Sequence, residues 1–197
     1  TYTGSGWDGN DGAAQSILVE LFAELTIQNS LFDGGGEIDI RGSSTAQILD
    51  NTFINGAAIF LNDASGQTVV RGNSITDSGL FSIESTSRSD LVIEDNVIEQ
   101  SLPGIAIQAL GLTGAIRDNE IRGPNIGIQL IEGASPEIRN NIVEATGTAL
   151  EIHAGISPSL SGNKLCGENA IMAVMSGAEP LDLSGNDLCD APLVFGE

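Results

Sequence analysis

Apolar residues recur along the chain in a frame that repeats every 22 or 23 residues. Each repeat contains an asparagine, with an apolar residue three positions before it and another two positions after it. The asparagines of the frame are Asn29, Asn51, Asn73, Asn96, Asn119, Asn141, Asn163 and Asn186. Fifteen of the sixteen flanking positions are apolar, Thr26 being the exception, whereas the hydrophobic content of 41% would give six or seven. The repeat is therefore a structural unit.

A second short segment follows each asparagine by about ten residues, and its side chains alternate between apolar and other types, as in Ile105–Ile107 and Ile128–Leu130. Alternation with period two indicates strands that bury one face. Glycine and Asn-Gly or Ser-Gly pairs recur every few residues, so helices cannot form within the repeat. A unit of this size cannot bury its own apolar face. Identical units must therefore stack, each strand pairing with its equivalent one coil away.

The predicted fold is all-β: a right-handed parallel β-helix, or solenoid, of about eight coils of 22–23 residues. The hand follows from the strong preference for right-handed crossovers between parallel strands. Leucine-rich repeats have a similar length but require a regular leucine pattern that is missing here. We expect the β-helix to span residues 17–190, with an N-terminal cap segment over residues 1–16 and a C-terminal tail over residues 191–197.

The asparagines have a structural role in this fold. Asparagine tolerates the left-handed backbone of a sharp turn, and stacked asparagine side chains form hydrogen-bonded ladders. Cys166 and Cys189 both lie three residues after a frame asparagine, on adjacent coils. Their Cα atoms should be about 4.8 Å apart, which lies within the range for a disulfide. A disulfide there would fasten the last coil, and it favours an extracellular, cell-surface or periplasmic location.

The frame Ile-x-x-Asn-x-Ile, followed by strands such as Gly104–Ile107 and Gly127–Leu130, resembles the parallel β-helix repeats of the pectate lyase-like superfamily, which includes NosD-type periplasmic proteins. The resemblance covers roughly residues 17–190 and implies the fold. It leaves the activity open, because lyases, hydrolases, epimerases, adhesins and inert spacers share such repeats.

The chain carries 27 acidic and 7 basic residues, a formal net charge of −20. Such a surface repels phosphate backbones and anionic lipids, so neither nucleic acid nor a membrane is an expected partner. No stretch approaches the ~20 apolar residues of a membrane span. No cofactor is expected, although calcium is an alternative: Asp8, Asn10 and Asp11 superficially resemble a calcium loop, but their spacing does not match the EF-hand.

Candidate chemistry is sparse. Glu151 and His153 share one strand face and are the weak catalytic candidates, while Phe60, Glu84, Gln108 and Gln129 are the candidate binding residues. His153 is the only histidine, which excludes a site built from several histidines. Strict alternation predicts two rows of outward side chains. The first is Asp39, Phe60, Ser82, Ala106, Gln129, Glu151 and Ala173; the second is Arg41, Asn62, Glu84, Gln108, Ile131, His153 and Met175.

Three functions are consistent with these features. The first is a non-catalytic β-helix module of a secreted or surface protein, which acts as a rigid scaffold or binding face for polysaccharide or another cell-surface component. The second is a small carbohydrate-active enzyme, either a polysaccharide lyase, a glycoside hydrolase or an epimerase, as the resemblance implies. The third is a domain of a larger protein whose activity lies elsewhere. Paired carboxylates about 5–10 Å apart, which a hydrolase requires, do not converge on the middle coils.

Overall fold

Three parallel sheets run along the molecule in a computed structural model that describes residues 2–3, 6–8, 17–19, 24–34, 36–42, 45–62, 67–86, 90–101, 103–174 and 181–196. These residues form 25 strands and no helix. We number the strands in chain order. Successive strands go to sheet 1, sheet 2 and sheet 3 in turn, so that one coil contributes one strand to each sheet.

The strands are short and regularly placed. Sheet 1 contains β1 (Tyr2–Thr3), β4 (Glu24–Gln28), β7 (Thr45–Leu49), β10 (Val69–Arg71), β13 (Val92–Glu94), β16 (Ala115–Arg117), β19 (Glu137–Arg139) and β22 (Ser159–Ser161). Sheet 2 contains β2 (Gly6–Asp8), β5 (Leu31–Asp33), β8 (Thr52–Ile54), β11 (Ser74–Thr76), β14 (Val97–Glu99), β17 (Glu120–Arg122), β20 (Ile142–Glu144) and β23 (Lys164–Cys166). Sheet 3 contains β3 (Ile17–Val19), β6 (Glu37–Arg41), β9 (Ala58–Asn62), β12 (Phe81–Ser85), β15 (Ile105–Leu110), β18 (Ile126–Ile131), β21 (Thr148–Ile152), β24 (Asn169–Val174) and β25 (Leu193–Gly196).

The core is a column of aliphatic side chains enclosed by the three sheets. Equivalent residues of adjacent coils pair directly, as in Val70 with Ile93 and Ile93 with Ile116. These side chains are fully buried, like Ile98 and Ile121 from sheet 2. Stacking like on like gives each coil the apolar partner that it lacks alone. The predicted all-β parallel solenoid with coils of about 22 residues is confirmed.

The asparagine ladder lies at the two-residue corner between sheet 1 and sheet 2. Asn96 Oδ1 accepts hydrogen bonds from the backbone N–H of Asn73 (3.0 Å) and from its Nδ2 (2.9 Å). The Asn96 Nδ2 also donates to the carbonyl of Val70 at 3.0 Å. The same pattern joins the ladder residues Asn51, Asn73, Asn96, Asn119, Asn141, Asn163 and Asn186. The ladder therefore satisfies buried backbone groups that the sharp corner leaves without sheet partners.

The prediction for Asn29 is wrong by one residue. Ser30 occupies the ladder position, because its backbone N–H donates to Asn51 Oδ1 at 3.0 Å. Asn29 has φ of 51° and takes the preceding left-handed position, which Asp50 (φ 53°) fills in the next coil. The frame of that coil consequently shifts by one residue, and Ile27 rather than Thr26 points into the core.

The solenoid extends beyond the predicted bounds of 17 and 190 at both ends. In the predicted cap segment, β1 pairs with β4 and β2 pairs with β5. In the predicted tail, β25 adds a parallel strand to β24. The predicted disulfide is confirmed: Cys166 and Cys189 are bonded, with Cα atoms 5.3 Å apart. It joins the last strand of sheet 2 to the turn that precedes β25.

Strands of sheet 3 turn a corner near their first residues, and this corrects the predicted outward rows. In β15, Ile105 is half-buried, Ala106 and Ile107 are both buried, and Gln108 is half-buried again. Two consecutive inward residues break strict alternation, so Ser82 and Ala106 are buried instead of outward. In β24 the outward residue is Met172, the register partner of Glu151, so Ala173 is buried. Met175, also predicted to point outward, lies outside the described residues. Small residues occupy this inner corner because a larger side chain would collide with the neighbouring coil and sheet. A Cβ on Gly127 would lie 2.2 Å from Val143 Cγ1 and 2.6 Å from the Ala149 carbonyl oxygen.

Candidate binding face on the third sheet

One row of outward side chains runs along the middle of sheet 3, with one residue from each coil. We call the part of it between β6 and β24 the central row; its members are Asp39, Phe60, Glu84, Gln108, Gln129, Glu151 and Met172. The same register continues to the exposed apolar residues Leu18 in β3 and Val194 in β25. Consecutive members are register partners on neighbouring parallel strands, and their Cα atoms are therefore about 4.8 Å apart. The four predicted binding residues and Glu151 thus form one uninterrupted line. Strict alternation had predicted these residues in two separate rows, because it takes no account of the bend at Ser82 and Ala106.

A chain of hydrogen bonds occupies the C-terminal half of the central row. Gln108 Nε2 donates to Gln129 Oε1, and Gln129 Nε2 donates to Glu151 Oε1 at 2.8 Å. His153 Nε2 lies 2.7 Å from the same Glu151 oxygen. Gln129 is buried at 8% exposure, and the Glu151 side chain is 12% exposed. These contacts hold the side chains in place before any ligand arrives, which lowers the entropic cost of binding.

The N-terminal end of the face is also polar and paired. Asp39 is buried, accepts a hydrogen bond from Asn62 Nδ2 at 3.0 Å and forms an ion pair with Arg41. Thr86 Oγ1 in turn donates to Asn62 Oδ1 at 3.2 Å. This network was not predicted. The signal that could have revealed it is the occurrence of hydrogen-bonding residues at equivalent positions of adjacent sheet 3 strands.

Glu84 differs from the other acidic residues of the row. It is half-buried between Phe60 and Gln108, and this burial raises the pKa of its carboxyl group. Among the described residues, its carboxylate has no hydrogen-bond or ion-pair partner. A desolvated carboxylate without a donor is energetically unfavourable, which is the physical reason for the raised pKa.

Carboxylates on the other two sheets are paired with cations one coil away. Arg117 Nη2 lies 2.6 Å from Glu94 Oε2 on sheet 1, and this contact raises the pKa of Arg117. On sheet 2, Lys164 Nζ lies 3.0 Å from Glu144 Oε1, and this hydrogen bond lowers the pKa of Glu144. Exposed pairs of this kind contribute little stability each. With 7 basic against 27 acidic residues, most carboxylates have no cation partner. Glu84 differs from the other described carboxylates in the burial that raises its pKa.

Apolar side chains flank the central row on both sides. Phe81, Ile105 and Ile126 form one row by register and are half-buried. Leu110 and Ile131 form part of the row on the other side and are also half-buried. Of these flanking residues, the sequence predicted only Ile131 to point outward; Phe81, Ile105, Ile126 and Leu110 were not predicted there. The face therefore combines amide and carboxylate groups with apolar borders.

Among the residues that the structure describes, no further strand or helix covers the outer surface of sheet 3. Connections from sheet 3 to sheet 1 between β6 and β22 contain only three to six residues. Beside the central row, Thr86, Leu110, Gly111 and Glu132 line a shallow depression of about 200 Å³. An open surface with a regular one-coil repeat fits an extended polymer better than a small molecule, which would need an enclosed cavity.

The described residues contain no cluster of three or more histidine, cysteine or acidic side chains arranged to hold a metal ion. Of the weak calcium candidates, Asp8 lies in β2, and Asn10 and Asp11 lie outside the described residues. The part of the chain that the structure describes contains no helix capable of crossing a membrane.

Parallel coils, an asparagine ladder at one corner and three parallel sheets define a β-helix protein. The chain belongs to the family described as the right-handed beta helix region, whose model matches residues 8–143. This match agrees with the right hand predicted from crossover geometry. Comparison with curated proteins gave no match, and neither did comparison with solved structures.

Proposed function

We propose that this chain is a non-catalytic β-helix module of a secreted or cell-surface protein, and that sheet 3 is a rigid binding face for carbohydrate. The central row carries this proposal. It presents Gln108, Gln129 and Glu151 in one line, fixed by mutual hydrogen bonds, at the spacing of the coils. Sugar hydroxyls both donate and accept, and amide side chains can satisfy both roles.

The apolar borders support the same proposal. Pyranose rings have apolar C–H faces as well as hydroxyl edges, so a sugar-binding surface needs apolar area beside its polar groups. Phe60 in the central row and Phe81 in the flanking row supply aromatic surface. The Cys166–Cys189 disulfide supports the extracellular or periplasmic setting in which such a module would meet polysaccharide.

Spacing of the acidic residues favours binding over hydrolysis. Glu84 and Glu151 lie three coils apart, roughly 14 Å along the sheet. Asp39 and Glu84 lie two coils apart, and Phe60 occupies the row between them. Glycoside hydrolysis requires two carboxyl groups about 5–10 Å apart with space for sugar or water between them. An enzyme of the pectate lyase-like superfamily is the alternative, and its residues would be Glu151 and His153.

The proposal is tested by measuring binding of the purified chain to a panel of neutral, acidic and amino polysaccharides. A double substitution, Gln108→Ala with Gln129→Ala, removes the centre of the row. The matched control is Thr52→Ala with Ser74→Ala, which changes two exposed register partners on sheet 2. We expect at least one polysaccharide to bind, with affinity reduced about tenfold or more by the first pair only, since two hydrogen-bonding side chains are lost.

Two results would contradict the proposal. Equal affinities of the two double variants would show that sheet 3 is not the binding face. Release of reducing or unsaturated sugar ends, abolished by Glu151→Gln or His153→Ala, would show that the chain is an enzyme. If the chain is a domain of a larger protein, the same binding experiment applies to the domain by itself.

A further inference from the structure

The direction of the hydrogen-bond chain in the central row is set by Glu151. An ionised carboxylate can only accept hydrogen bonds, so Gln129 must present its NH₂ group to it. The Gln129 oxygen then faces the NH₂ group of Gln108, as observed. Gln108 therefore directs one N–H of its amide to Gln129, and its own oxygen remains at the opposite end of the chain of amides.

The next residue of the row is Glu84, the register partner of Gln108. Its carboxylate also accepts only. Neither the Glu84 carboxylate nor Gln108 Oε1 has a hydrogen-bond partner among the described residues. Their Cα atoms lie about 4.8 Å apart on adjacent strands, and two acceptors side by side are unfavourable unless water or another donor lies between them. The row thus contains one position that favours a group rich in donors.

Phe60 completes this position on the other side of Glu84. The face of an aromatic ring attracts a cation, and the attraction is larger where water is partly excluded. Glu84 is half-buried there, so its charge is less screened than that of a fully exposed carboxylate. An ammonium group has three donors and no acceptor. It therefore matches three consecutive residues of the central row that supply an aromatic ring, a carboxylate and an amide oxygen.

We propose that Phe60, Glu84 and Gln108 form a subsite for a primary ammonium group, and that the polysaccharide bound on sheet 3 carries a free amino sugar at this point. This inference rests on the proposed function and specifies its substrate class. The net charge of −20 favours the same choice, because it attracts cationic polymers and repels polyuronates.

The test compares an oligosaccharide of β-1,4-linked glucosamine with its fully N-acetylated counterpart of equal length, by isothermal titration calorimetry. Wild type should bind the free amine about tenfold or more tightly than the acetylated sugar, because a charged hydrogen bond is lost on acetylation. Glu84→Gln should abolish that preference. Glu168→Gln, an exposed residue outside the central row, makes the same change in net charge and should retain it.

A thermal measurement without ligand shows whether the substituted protein is intact and whether the two acceptors face each other. A glutamine at position 84 can donate to Gln108 Oε1 and carries no charge. Glu84→Gln should therefore raise Tm by about 2–4 °C, while Glu168→Gln leaves it nearly unchanged. A lowered Tm in Glu84→Gln would contradict the inference that the two acceptors are neighbours and would overturn the subsite.

The remaining outcomes separate the subsite from the proposed function. If both sugars bind equally well and Glu84→Gln changes neither affinity, the subsite is refuted while carbohydrate binding stands. If Glu84→Gln and Glu168→Gln weaken glucosamine binding equally, the attraction is one of net charge alone and the subsite is refuted. If neither these sugars nor any polysaccharide of the panel binds, both proposals fall.

Discussion

Removing one rung of the asparagine ladder should cost far more stability than removing its sequence neighbour. Asn140 and Asn141 occupy the same corner, but Asn140 is exposed at φ 54° and Asn141 is fully buried. Asn140→Gly removes an exposed amide while keeping a residue that accepts the left-handed backbone. Asn141→Ala removes an amide of the same size from the ladder. Asn140 Nδ2 donates to Asp118 Oδ1 at 3.1 Å in an exposed position, so the pair compares an exposed hydrogen bond with buried ones.

The magnitude follows from the contacts of Asn141. Its Oδ1 accepts from the Asn119 backbone N–H (3.1 Å) and Nδ2 (2.9 Å), and its Nδ2 donates to the Ile116 carbonyl (2.9 Å) and to Asn163 Oδ1 (3.0 Å). Alanine leaves the Asn119 N–H buried without this partner, which costs about 1–3 kcal/mol, and loses further bonds at about 1 kcal/mol each. We expect Asn141→Ala to lower the free energy of unfolding by about 3–5 kcal/mol. Asn140→Gly should change it by less than about 1 kcal/mol.

Urea unfolding followed by far-UV circular dichroism measures both variants. Hydrogen exchange read by mass spectrometry shows where protection is lost, which matters because a solenoid can unfold coil by coil. The coils that contain Asn119 and Asn163 should lose protection first. Equal destabilisation by the two substitutions, or uniform loss of protection along the rod, would refute the inference that the ladder supports each coil locally.

Three further predictions concern the end, the corner and the face of the solenoid. Cys166→Ser should lower the free energy of unfolding by about 3 kcal/mol, because the disulfide spans 23 residues. Addition of a reductant to wild type should have the same effect. A urea unfolding midpoint that does not change with reductant would contradict this prediction. Gly127→Ala should lower the free energy of unfolding by about 1–3 kcal/mol or more through overpacking. Gly79→Ala is the control, because a Cβ added there meets nothing within 4 Å and should leave the free energy of unfolding nearly unchanged. Chemical denaturation measures both variants. Burial raises the pKa of Glu84 above its ordinary value of 4.5, so the folded state binds this proton more tightly and its contribution to stability falls as pH rises through the raised pKa. The Tm difference between wild type and Glu84→Gln should therefore grow with pH over that window; a difference independent of pH would contradict it.

Much of the architecture could be predicted because the repeat encodes it directly. The asparagine and its two apolar neighbours keep constant spacing in every coil after the first, so register and core followed from counting. The exception is the first coil of the frame, where Asn29 lies beside Ser30 and was predicted to be the ladder residue. Thr26 in an otherwise apolar column was the sign of this slip, since the correct frame places Ile27 there.

The binding face was harder to predict than the core. Alternation assumes a straight strand, but sheet 3 strands bend where Ser82 and Ala106 point inward. The arrangement of the candidate residues as one row depends on that bend, and their role in binding stays a prediction. The direction of the hydrogen bonds along Gln108, Gln129 and Glu151 depends on side-chain packing. The spacing of residues in the sequence does not predict it. The strands in the predicted cap segment and tail were missed because they carry no asparagine frame.

The corner between sheets 1 and 2 and the outer surface of sheet 3 are specified by different residues. The distance in sequence between register partners varies from 21 to 25 residues, whereas the corner between sheets 1 and 2 always contains two residues. Substitutions in the central row can therefore change the chemistry of the outer surface of sheet 3 while the coil spacing is maintained elsewhere. Insertion or deletion of a whole coil would lengthen or shorten that row by one side chain, so the length and the chemistry of this surface can evolve independently.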